Sequence, residues 1–223
     1  MMTDLPYNQV KETNLFAHIE PSLLNQLLQN ADFISLNNRE SLFEQGEDAE
    51  YFYIVKSGVI KLSVYSNHTN TLLDLCSKGS LIGPLIMGST NLVKYPISAM
   101  SLGKSTLIRI PKSTYNQQWM NNKKAMQIVH ENSMERMTML QNDRSMQRLD
   151  LEAKVAYFLL SKIHSNSETP ITRRDIADGI GSSVESVIRV LSKWENNQWV
   201  ITQSQQIHIK DYNELHHIWK NSK

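Results

Sequence analysis

The chain has 223 residues, 40% of them hydrophobic and 20% charged, enough to bury a proper core and long enough for about two domains. Lys and Arg number 23 against 22 Asp and Glu, so a net charge of +1 sets up no whole-chain field to draw in a nucleic acid. The single cysteine, Cys76, excludes an internal disulfide framework and any iron–sulfur or zinc site built from several cysteines of one chain.

No run approaches the roughly 18 apolar residues of a membrane span, and MMTDLPYNQV has neither a basic start nor an apolar signal core, so a cytoplasmic protein without a membrane partner is expected. Residues 15–30, LFAHIEPSLLNQLLQN, place leucines at helical spacing around a break at Pro21, which predicts short helices ahead of the first strand. From Asp32 to Pro111 short apolar or alternating runs follow one another: FISL, YFYIV, VIKLSVY, TLLDL and TLIRI, separated by EQGEDAE, SNHTN and SKGS. Strands at about ten-residue spacing predict an antiparallel barrel or jelly roll, with Gly46, Gly58, Gly79 and Gly83 in its turns and bulges.

At Ser113 the texture changes to a long helix. Met126, Val129, Met137 and Leu140 lie close to one stripe, Met134 and Met139 beside it, and Arg136, Asp143, Arg144 and Arg148 elsewhere. The helix either lies on its own barrel or forms a coiled-coil-like seam with a second copy, and its excess length favours the seam. Residues 151–164, LEAKVAYFLLSKIH, make a further amphipathic helix with Val155, Phe158, Leu159 and Ile163 inward, before the polar loop SNSETP.

The stretch TRRDIADGIGSSVESVIRVLSKW, Thr172 to Trp194, reads as two short helices about a tight turn. Thr172 with Asp175 caps the first, Ile176, Ala177 and Ile180 face inward, and Gly181 ends it. Ser182 with Glu185 is the predicted capping box of the second, whose Val187, Val190, Leu191 and Trp194 are inward. The opposite face presents Glu185, Ile188, Arg189 and Ser192. A helix-turn-helix sets its second helix in the major groove, where an arginine fork matches guanine and a carboxylate accepts from cytosine. Two bland alternatives stand beside this: Glu185 as a capping carboxylate only, Arg189 as a solvated surface residue only.

Residues 150–223 carry 9 basic and 9 acidic residues, so the support for DNA lies in placement: Arg173, Arg174, Arg189 and Lys193 fall in or beside the two helices. WVIT, a turn at SQQ and IHIK predict a hairpin wing, and DYNELHHIWKNSK a last helix. His216 and His217 are adjacent and cannot share a helical face, which argues against a metal pair.

Barrel, long helix and winged helix-turn-helix in that order resemble the Crp/Fnr family, that of the cyclic-AMP receptor protein and the fumarate-nitrate regulator. The segments that carry the resemblance are LFEQGEDAEYFYIVKSGVIKLSVYSNHTNTLLDLCSKGSLIG and, more specifically, ITRRDIADGIGSSVESVIRVLSKWENNQWV. It implies an α+β chain of three parts, an effector barrel over 1–111, a dimerisation helix over 112–149 and a winged helix-turn-helix over 150–223. It further implies a homodimer on a roughly palindromic double-stranded DNA operator, with RNA polymerase as a further partner. By the same resemblance Glu185 and Arg189 read bases, and Ser183 and Arg173 touch phosphate. Val184 before Glu185 is similar to the fumarate-nitrate branch. Ile188 departs from both branches and suits a thymine methyl.

The sensory end departs further. Family members that bind cyclic nucleotides have a Gly-Glu pair for the ribose and an Arg-Ser pair for the cyclic phosphate; here the region reads IGPLIMGSTNLVKYPISA. Pro84 follows Gly83 in place of the glutamate, Leu85 comes next, and Tyr95-Pro96 stand near the arginine-serine position with Lys94 before them. A lysine is a point charge without the guanidinium fork, so cyclic AMP is not the expected effector. No cofactor is identified. Haem held by Cys76, His68 or another histidine, or another small effector, stays open, while Cys76 reads as a buried structural thiol. The leading function is a dimeric transcription regulator; the alternative is a sensory barrel acting as a protein-interaction module whose helix-turn-helix binds no DNA. No catalytic carboxylate pair, nucleophile motif or phosphate loop points to an enzyme.

Overall fold

The computed structural model describes residue 16 and residues 19–66, 69–89, 94–146, 148–162, 171–203 and 206–221. His68, Ile163, the loop at 165–170, the wing tip at 204–205 and the side chains of Asp143 and Arg144, all singled out above, lie outside the described residues and side chains. Two compact units form: one from residues up to Tyr65 with Asp74–Met137, the other from Ser66–Leu73 with Thr138 onward.

In the first unit, helix α1 (Pro21–Leu27) opens with Pro21 at its first helical positions, so the proline starts this helix, where a missing N–H costs nothing, and buries Leu24 and Leu27. Strands β1 (Asp32–Leu36), β2 (Ser41–Phe43), β3 (Tyr51–Ser66), β4 (Thr69–Cys76), β5 (Leu81–Ile82) and β6 (Ser98–Pro111) make one sheet in the order β1-β6-β3-β4, with β2 paired to β6 and β5 to β3. The runs YFYIV and VIKLSVY are one strand. Gly58, at φ 84, sits in a bulge where the β3–β6 register shifts on both sides of Ser57. A Cβ there would stand 2.3 Å from Ser105 Oγ and 2.6 Å from the Lys104 carbonyl oxygen, so only glycine lets the strands approach.

The core of this unit takes Phe52, Ile54, Ile60, Leu81, Ile108 and Ile110 from the strands. Phe52 meets Trp119 edge-on at 5.0 Å, and the Trp119 indole N–H donates to the Leu27 carbonyl at 2.8 Å. Trp119 closes a π-helical turn, Tyr115–Trp119, which leads into the long helix α3 (Lys123–Met146).

The stripe on α3 divides. Ala125 and Val129 are 0% and 1% exposed, so Val129, expected in the seam, belongs to its own unit's core. A stripe at helical spacing is as wide as a core-facing face, and the turn nearest the barrel satisfies that face within the chain. Met126 is half-buried, its sulfur accepting from the Tyr115 hydroxyl at 3.8 Å. Further along, Met134 (49%), Met137 (55%) and Leu140 (48%) are exposed.

The second unit contains helices α4 (Leu151–Lys162), α5 (Arg173–Ile180) and α6 (Val184–Asn196), the hairpin β7 (Val200–Gln203) and β8 (Gln206–Ile209), and helix α7 (Tyr212–Asn221). Val155, Phe158, Leu159, Ile176, Val187, Leu191 and Trp194 are buried together as its core. Tyr157 and Trp219, 5.7 Å apart, set α7 against α4. Among the described residues no helix is long and apolar enough to cross a membrane, and no cluster of His, Cys, Asp or Glu could hold a metal ion.

Candidate nucleic-acid interface and effector region

The turn between α5 and α6 is fixed from both sides. Thr172 Oγ1 accepts from the Asp175 amide at 3.2 Å, while the Asp175 carboxylate accepts from the Thr172 amide at 2.9 Å and from its hydroxyl at 2.6 Å. This reciprocal cap is buried, with Asp175 only 1% exposed. Gly181 ends α5 in the left-handed region, at φ 65 and ψ 45, and the Ser182 amide then donates back to the Ala177 carbonyl at 3.0 Å.

Because Ser182 still belongs to that turn, α6 starts one residue later than expected. Ser183 is its N-cap, with Oγ accepting from the Ser186 amide at 3.2 Å, and the predicted Ser182–Glu185 box does not form. Glu185 instead stands in the first turn, where a carboxylate complements the helix dipole.

The two faces of α6 sort as its periodicity predicts: Val187, Val190, Leu191 and Trp194 are buried, while Glu185, Ile188, Arg189 and Ser192 are exposed. Ile188, 41% exposed, is an apolar side chain on an otherwise polar surface. Val184 is half-buried at the helix start, and Arg173 is half-buried as the first residue of α5. Sequence reasoning missed Ser186. Its hydroxyl accepts from Ser183 Oγ at 3.0 Å and from Arg189 Nη2 at 3.3 Å, which orients the guanidinium along the exposed face; the spacing of three between Ser186 and Arg189 was the available signal.

Glu152, at the start of α4, was missed as well. Its Oε1 lies 2.6 Å from Lys193 Nζ, one turn past Arg189. An open groove of about 610 Å³ runs there between Asp150, Leu151 and Glu152 on one wall and Ser186, Arg189, Val190 and Lys193 on the other.

The effector region is organised around an aromatic stack. Tyr95 is 3% exposed, its ring stacked on Phe43 at 3.7 Å and 11°, and its hydroxyl donates to the Tyr51 carbonyl. Burial, with a hydrogen bond between the two phenols, pushes the Tyr53 hydroxyl well above the ordinary tyrosine range, and burial also raises that of Tyr95, so both stay neutral. Gly83 caps the single helical turn α2 (Pro84–Met87), in which Pro84 is buried and Leu85 is 63% exposed. Lys94 Nζ donates to Asp48 Oδ1 at 3.0 Å and to the Gly46 carbonyl at 3.1 Å, and Pro96 is exposed. Cys76 is buried, with Arg136 Nη2 donating to its sulfur at 2.7 Å.

Residues 33–122 match the family model of the cyclic nucleotide-binding domain, and residues 153–218 that of the Crp-like helix-turn-helix domain. The chain is 24% identical over 196 residues to the cAMP-dependent protein kinase type II regulatory subunit of Drosophila melanogaster, a match covering 87% of this chain but only 49%, about half, of that protein. It is 24% identical over 193 residues to the transcriptional activatory protein AadR of Rhodopseudomonas palustris, covering 81% of this chain and 78% of that one. Among solved structures FixK2 from Bradyrhizobium japonicum is similar, with a TM-score of 0.72 at 19% identity over 84% of this chain and 96% of that one, a likeness of fold.

Proposed function

Because the chain belongs to the Crp/Fnr family of transcription regulators, we propose that it binds a two-fold symmetric DNA operator as a homodimer and that cyclic AMP is not its effector. The observation that carries the reading is the exposed face of α6, where Glu185, Ile188 and an Arg189 steadied by Ser186 project from a helix whose other face is locked into a core. In major-groove docking Arg189 takes a guanine, Glu185 constrains the neighbouring pair, Ile188 meets a thymine methyl, and Ser183 and Arg173 hold backbone phosphates. In this reading 1–111 is the effector barrel, 112–149 the dimerisation helix and 150–223 the DNA-binding part. It is a regulator, not an enzyme.

The dimer is supported by Met126, Ser133, Met137 and Leu140, which with His130 recur at alternating spacings of four and three, and by the exposure of Met137 and Leu140. Against cyclic AMP stand Pro84, which supplies no carboxylate, Lys94, already engaged by Asp48, and Tyr95, which brings no guanidinium and whose ring is stacked on Phe43. RNA polymerase is the further partner of the DNA-bound dimer in this reading. A salt-dependent gel shift on promoter fragments tests the proposal. Retardation that selects one fragment and weakens with salt is expected; a folded protein that ignores every fragment at low salt would turn the helix-turn-helix into a protein-docking surface.

A further inference from the structure

We propose that Glu152 limits how tightly this protein holds DNA of any sequence, by engaging Lys193 at the edge of the reading face. The inference rests on α6 being the helix that enters the groove.

On α6, Lys193 follows Arg189 by four residues, which turns it about 40° around the helix from that side chain. It therefore flanks the base-reading stripe on the side of α4. A recognition helix touches bases with its first turns, and its later residues rise toward the backbone that borders the groove, where a lysine neutralises a phosphate. Here the ammonium is already matched: Nζ lies 2.6 Å from Glu152 Oε1, and the two side chains are 55% and 36% exposed, so the pair sits at the surface that a DNA strand would pass.

The groove beside it places Asp150 and Glu152 opposite Arg189 and Lys193, two carboxylates against two cations. At this edge the interface is electrically balanced. Sequence-independent binding comes from counterions released as cations pair with phosphates, so a lysine held by a carboxylate contributes little to it. Base reading by Arg189 and Glu185 is untouched. Glu152 thus weakens the grip on operator and unrelated DNA alike, which keeps the protein mobile along a genome. A pair that served only to tie α4 to α6 predicts otherwise: its loss would loosen the fold and leave DNA binding equal or weaker.

The experiment is a salt titration of fluorescence anisotropy with the full chain, on an operator duplex and a scrambled duplex, for the parent, E152Q, K193Q and the double variant. E152Q is expected to tighten both duplexes by the same factor and to steepen the salt slope by about two units in a dimer, one per subunit. K193Q, which leaves Glu152 unmatched, should bind both duplexes no more tightly than the parent, and the double variant, in which neither charge remains, should lose the gain of E152Q. An E152Q that binds equally or more weakly overturns the proposal, and so does a gain that persists in the double variant, because it would then come from Glu152 acting without Lys193. If E152Q does not fold, E152A takes its place: tighter binding of both duplexes with a slope steeper by about two units supports the proposal, and binding equal to or weaker than the parent's overturns it. A parent that binds neither duplex at low salt would instead defeat the DNA-binding reading itself.

Discussion

Replacing Met137 and Leu140 together by glutamate should separate the proposed dimer without unfolding the chain. Full burial of such a side chain stabilises by about 1.5–3 kcal/mol. Both are half covered already, at 55% and 48% exposure, so closing the seam returns roughly 1 kcal/mol each. With two subunits the pair contributes roughly 4 kcal/mol, and its loss weakens dimerisation by about a thousandfold, before like charges facing each other across the axis add to it. Sedimentation at micromolar concentration should show the parent at about twice 25.7 kDa and the variant at that monomer mass, with a thermal transition that stays cooperative but is lowered by the lost partner. Val129→Glu is the contrast: at 1% exposure it puts a charge into the core of its own unit and should abolish the cooperative transition. A double glutamate variant that stays dimeric, or a Val129→Glu chain that folds as a stable monomer, would refute this division of the helix.

Further outcomes follow from the other sites. Arg189→Ala should cost about 1–3 kcal/mol per half-site on the operator and relax preference at one symmetric base pair, whereas Arg173→Ala should weaken operator and scrambled DNA alike and lower the salt slope by about two units in a dimer; gel shifts across a salt series check both. Asp175→Ala removes the acceptor of the Thr172 amide and hydroxyl, and should destabilise the second unit by about 1–3 kcal/mol in urea melts. Calorimetry with millimolar cyclic AMP or cyclic GMP should give no saturable heat, and micromolar binding with altered DNA affinity would overturn the effector reading.

Much of the proposed DNA-reading surface was legible because local physics carries it. Buried Val187, Val190, Leu191 and Trp194 and exposed Glu185, Ile188 and Arg189 follow from helical periodicity alone, and Gly181 marks a left-handed residue wherever a helix must turn sharply. The start of α6 was misplaced by one residue because Ser182 and Ser183 are chemically equal caps, and only the bond from the Ser182 amide to Ala177 decides between them. Gly58 was legible as a turn or a bulge, because both make the same demand on φ; the pairing with β6 shows which of the two it is, a bulge in one continuous strand. Val129 was assigned to the seam because a stripe does not tell which neighbour covers it. Glu152 and Lys193 are 41 residues apart, and no spacing rule reaches that far. Likewise Tyr95 could be seen to lack a guanidinium, but not to stack on Phe43.

The central claim is that this chain reads DNA sequence as a symmetric dimer, and selection of duplexes from a random pool by the purified protein tests it most directly. The account predicts an enriched motif with two inverted half-sites about 10–10.5 base pairs apart, centre to centre, which Arg189→Ala blurs at one position in each half. Binding with no enriched motif, or a motif without two-fold symmetry that Arg189→Ala leaves unchanged, would contradict it.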